Sequence, residues 1–80
     1  MSETRDVMIK RLQMRSMRRG IKEMDLILSD FATRALAGMD VAGLTHYDAL
    51  LEENDRDIYG WVSGQFPTPA HYLALVTQIA

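Results

Sequence analysis

Apolar residues return at every third or fourth position along nearly all of this chain, and no stretch of alternating β-branched residues breaks that pattern. A return of three to four is the repeat of the α-helix; a half-buried strand needs a repeat of two. In residues 4–18, Met8, Ile9 and Leu12 keep the helical spacing, with Met17 further along. In residues 22–37, Met24, Ile27, Leu28, Phe31, Ala35 and Leu36 build one apolar face. No run of β-branched residues marks a strand. The chain is therefore restricted to helices packed on helices.

Punctuation divides that pattern. Gly20 supplies a left-handed turn between the first two helices, and Gly38 stops the second. Thr45, with Asp48 three residues on, reads as the cap of a third helix running through Leu51 and Glu53. Asn54 and Asp55 cap a short fourth helix carrying Ile58, Trp61 and Val62, which Gly64 ends. Thr68 as cap and Pro69 in the first turn open a last helix through Tyr72, Leu73, Leu75, Val76 and Ile79. The expectation is an all-α fold, a compact single-domain bundle of about five short helices over residues 1–80.

Eighty residues hold one modest core and leave little room for a deep substrate cleft. Cysteine is absent, so disulfides and thiolate metal sites are excluded and the chain suits a reducing compartment. No apolar run approaches the roughly 20 residues of a membrane span, so no membrane insertion is expected. Glu3, Asp6, Lys10 and Arg11 interrupt the start where a signal peptide would be apolar. The basic start suits a mitochondrial presequence, but the early acids argue against one.

The net charge of −2 conceals an asymmetry. Residues 1–22 carry seven basic residues against Glu3 and Asp6, net +5; residues 23–80 carry nine acids against Arg34 and Arg56, net −7. Two readings stand: the halves steer a partner electrostatically, or they neutralise each other across the bundle. Arg11, Arg15, Arg18 and Arg19 follow i, i+4, i+7, i+8 and form a second stripe on the first helix.

That stripe leads into Arg18-Arg19-Gly20-Ile21-Lys22-Glu23-Met24-Asp25. A helix junction needs the glycine; it does not need two arginines before it and two acids just after. Arginine suits planar, bidentate contact with carboxylates or phosphates. Glu23 and Asp25 fall in the first turn of the second helix, where the dipole favours acids. Two positions apart, they point to different sides and form no paired-carboxylate catalytic site; one is free to fix Arg19 or Arg15. Nucleic acid is a second reading of the arginine face. It is opposed by the acidic pI near 5.5 and by the lack of aromatic residues among the arginines.

A second cluster, Asn54-Asp55-Arg56-Asp57-Ile58-Tyr59-Gly60-Trp61, lacks the glycine and distal glutamate of a calcium loop. It reads as an acidic cap with Ile58 and Trp61 turned to the core. His46 and His71 are isolated surface or capping residues without partners at ligand spacing. Six methionines serve either as adaptable packing or as part of a contact surface. No nucleophile constellation or phosphate loop is present, which argues against an enzyme.

Two motifs in order, Arg19-Gly20-x-x-Glu23-x-Asp25 with the Leu26-Ile27-Leu28 run and then Asp55-x-Asp57-Ile58-Tyr59-x-Trp61, closely resemble those of the SdhE family. The resemblance runs along nearly the whole chain. It implies a five-helix bundle that assists attachment of FAD to the flavoprotein subunit of succinate dehydrogenase, with the related subunit of fumarate reductase a plausible second client. It further implies that Arg19 and Gly20 sit at the centre of the client contact, that Glu23 and Asp25 flank them, and that Arg11, Arg15 and Arg18 extend the surface. Asp55, Asp57 and Trp61 match the second motif, Trp61 with a possible support role. No stably bound cofactor is expected, since the chain shows no dinucleotide-binding pattern and would act on the FAD of its client. A bacterial cytoplasmic setting is the matching expectation.

Overall fold

A computed structural model describes residues 3–80; the first two residues of the expected 1–80 domain lie outside it. Five α-helices follow in order: α1 Arg5–Arg15, α2 Lys22–Ala35, α3 Val41–Leu51, α4 Asp55–Ser63 and α5 Leu73–Ile79. Short 3-10 turns at Leu36–Gly38 and Ala70–Tyr72 extend α2 and precede α5. The all-helical class and the helix number expected from periodicity both hold.

The ends follow side-chain chemistry. Thr4 accepts a hydrogen bond from the Val7 N–H at 3.2 Å, and Asn54 accepts one from the Arg56 N–H at 2.8 Å. Gly64 takes the left-handed conformation, φ 82°, and closes α4. Two starts differ from the sequence reading. Helix α3 begins at Val41, not at Thr45, because Asp40 caps it by accepting the Gly43 N–H at 2.7 Å. Thr45 and Asp48 are thus mid-helix. Pro69 has extended ψ, 143°, and stands just before a 3-10 turn, so α5 itself starts only at Leu73.

One core joins all five helices. Leu12, Met24, Leu28, Phe31, Leu36, Leu44, Tyr47, Leu50 and Ile58 are fully buried, with Tyr72, Leu75, Val76 and Ile79 closing the α5 side. The Phe31 and Tyr47 rings meet at 5.3 Å, tilted by 47°, where α2 crosses α3. The Tyr47 hydroxyl is buried but paired with Ser16 Oγ at 2.6 Å, and Ser16 Oγ donates to the Leu12 carbonyl at 2.7 Å. That closed network satisfies both hydroxyls out of water; α1 ends at Arg15, three residues short of the expected 18. Trp61 is only half-buried; it packs on Tyr72 with ring centroids 5.7 Å apart.

Candidate partner-binding site

The loop from Ser16 to Ile21 joins α1 to α2, and three helix ends converge beneath it. The Arg19 guanidinium fills that junction. It donates to Asp55 Oδ1 through Nε at 2.8 Å, to the Arg15 carbonyl at 3.0 Å and to the Leu51 carbonyl at 3.2 Å. Arg15 and Leu51 are the last residues of α1 and α3, so the cation sits where two helix dipoles present carbonyls. Asp55 is the first residue of α4, where the dipole favours an anion. Its second oxygen, Oδ2, accepts the Gly20 N–H at 2.7 Å. The two sequence motifs are thus one object: a single carboxylate from the second holds both the arginine and the glycine of the first.

Gly20 does not have the left-handed backbone expected of it. Arg18 has, with φ 55°, and it is the one non-glycine residue of that kind among the described residues. The conformation is held by Asp25, whose Oδ1 accepts the Arg18 N–H at 2.7 Å and the Ser29 hydroxyl at 3.4 Å. Glycine at position 20 answers to space instead. A Cβ there would lie 3.3 Å from Asp55 Oδ2, tight against the carboxylate that braces the loop.

The arginine stripe divides. Arg11 makes bidentate contacts to Glu3 (2.8 and 2.9 Å) and to Asp48 (both 3.0 Å). Arg15 pairs with Asp48 and, at 2.9 Å, with Glu52. With Arg19 on Asp55, the cations at 11, 15 and 19 match acids at 48, 52 and 55 in the same order. The halves of the charge asymmetry therefore neutralise each other along the α1 to α3/α4 seam. Hydrogen bonds from Arg11 depress the carboxyl pKa of both Asp48 and Glu3, and the two carboxylates in turn hold Arg11 in its charged form. Arg18 departs from the stripe: unlike Arg11, Arg15 and Arg19, it is exposed at its loop position and has no ion pair among the described residues.

The expected pairing of Glu23 or Asp25 with Arg19 or Arg15 is not formed. Asp25 braces the backbone of Arg18, and Glu23 is exposed. Asp57 is exposed on α4, and Trp61 packs on Tyr72 of the 3-10 turn before α5. Glu3, Asp48 and Glu52 were missed by the sequence reading. A signal existed: acids at 48, 52 and 55 repeat at i, i+4, i+7, a counter-stripe to arginines at 11, 15 and 19. Among the described residues no cluster of three His, Asp or Glu side chains is arranged to hold a metal, and no helix is long and apolar enough to cross a membrane.

Fold and loop together define a class: a five-helix domain in which a part-buried ion pair and two carboxylate–backbone hydrogen bonds brace one surface loop. The particular family follows from comparison. A family profile described as Sdh5, flavinator of succinate dehydrogenase, matches residues 10–80, and the chain belongs to that family. It is 48% identical over 67 residues to succinate dehydrogenase assembly factor 2, mitochondrial, of Schizosaccharomyces pombe, covering 84% of this chain and 48% of that protein. The Schizosaccharomyces japonicus protein of the same name is 45% identical over 71 residues, covering 89% and 50%. That of Komagataella phaffii is 50% identical over 60 residues, covering 75% and 32%. The chain spans about half the length, or less, of these relatives.

Proposed function

We propose that this chain is an assembly factor that binds the flavoprotein subunit of succinate dehydrogenase and promotes covalent attachment of FAD to it. The observation that carries the reading is the braced loop: Asp55 and Asp25 fix Arg19, Gly20 and Arg18 in one geometry at the surface of a member of this family. The energy of bracing is already spent before a partner arrives, which lowers the ordering cost of binding. The chain itself is no catalyst in this reading. It binds one arrangement of the client more tightly than others and so shifts the client toward the state in which its own chemistry proceeds. It keeps no cofactor of its own and acts on the client's FAD. The flavoprotein subunit of fumarate reductase is a second client of the same kind, and the bacterial cytoplasm is the compartment.

The nucleic-acid alternative loses its basis, because Arg11, Arg15 and Arg19 already hold carboxylates. The test is in-gel fluorescence of covalent flavin on the succinate dehydrogenase flavoprotein subunit, in cells with and without the chain. A large loss restored by the wild-type sequence supports the role. Unchanged fluorescence removes it for that client.

A further inference from the structure

The outer side of the α1–α2 pair carries apolar surface that the bundle does not bury. Met14 is 75% exposed and Met17 50%. Two open cavities meet at Met17. One, about 250 Å³, is lined by Gln13, Met17, Ser29, Ala32 and Thr33; the other, about 360 Å³, by Met14, Met17 and Arg18. Methionine is suited to such a place, since its unbranched thioether reshapes around whatever enters.

Arg18 supplies the cation that lines this groove, while the nearby Asp25 carboxylate is already engaged by the Arg18 N–H and the Ser29 hydroxyl. The left-handed backbone of Arg18 is fixed by Asp25, and the Arg18 guanidinium makes no hydrogen bond or ion pair among the described residues. Lys10 lies one turn before Met14 on the same face of α1, and Lys22 opens α2; both are exposed and outside every ion pair among the described residues. An isologous second copy would set these cations against one another. An acidic segment would not.

We propose that this groove seats a segment of the client flavoprotein that carries an apolar side chain next to a carboxylate. The apolar side chain enters beside Met17, and the carboxylate meets Arg18. The proposal rests on the assembly-factor reading above and adds to it the surface used and the chemistry it selects. Arg19 becomes a positioning residue that holds the loop, and Arg18 the residue that touches the client.

The test is binding of the purified chain to the purified succinate dehydrogenase flavoprotein subunit by biolayer interferometry. Arg18→Gly removes the guanidinium while placing glycine where φ is positive, so its melting temperature stays equal to or above that of the wild type. Met17→Glu sets a carboxylate against the proposed acidic segment. Leu73→Glu, an equally polar change at an exposed site on α5, is the control. Both groove variants are expected to bind about tenfold more weakly, with the control unchanged. If both bind like the wild type, the groove is overturned and the assembly-factor reading stands. If the wild type itself does not bind, that reading falls and takes the groove's assignment with it.

Discussion

Asp55 Oδ2 accepts the backbone N–H of Gly20 at 2.7 Å while Oδ1 of the same carboxylate holds Arg19. Thirty-five residues of sequence separate the two partners, so neither motif is complete without the fold that joins them.

The carboxylate is expected to be worth more than an ordinary surface ion pair, because the side chains of Arg19 and Asp55 are only 13% and 17% exposed. Asp55→Ala strands a largely desolvated guanidinium and is expected to cost about 2 kcal/mol, or about 10 °C in melting temperature for a domain of this size. Asp55→Asn keeps an acceptor for Gly20 and should cost about half as much. A thermal melt followed by circular dichroism checks both; equal melting points for Asp55→Ala and wild type would show that the brace adds nothing.

At position 20 the expected effects of size separate fold from contact. Gly20→Ala presses a Cβ against Asp55 Oδ2 at 3.3 Å and is expected to cost under about 1 kcal/mol, since only a few tenths of an ångström must be gained. Gly20→Arg is expected to keep the helical signal and to abolish client flavinylation in the cell. Loss of the helical signal would instead leave Gly20 with the turn role alone.

Acid should weaken the α1–α3 seam. Asp48 and Glu3 have folded pKa values below their unfolded ones, first through hydrogen bonds from Arg11. Their contribution is therefore fully present above about pH 5 and lost as pH falls through the lower folded values. Urea midpoints at neutral and acid pH should fall further for the wild type than for Asp48→Asn, whose side chain does not titrate. Parallel falls would remove Asp48 from the acid response.

Alkali acts on the core. Burial pushes the Tyr47 hydroxyl pKa up, since the phenolate would lack water. The unfolded chain ionises first, so stability is full below about pH 10 and declines as pH rises toward the folded value. Tyr47→Phe should flatten that decline and cost about 1 kcal/mol at neutral pH, because Ser16 keeps its bond to the Leu12 carbonyl. Phenolate absorbance during alkaline titration, set beside the unfolding curve, tests both.

The sequence by itself determined the helices and most of their ends. Periodicity is local, and so are the caps Asn54 and Gly64, which act within a turn of where they stand. It missed Asp40 because Thr45 with Asp48 offered a rival signal five residues later; Asp40 caps the helix through the Gly43 N–H, and Leu44 is buried in the core. The motif residues Arg19, Gly20 and Asp55 were visible as placed charge around a glycine. Their roles were not, because a hydrogen bond across three converging helix ends has no trace in local spacing. Tertiary structure alone decided that Arg11, Arg15 and Arg19 turn inward to carboxylates, that Arg18 and not Gly20 takes the left-handed turn, and that Met17 stays outside. A stripe of charge specifies that it will be paired or solvated; which of the two follows from what the rest of the chain brings within reach.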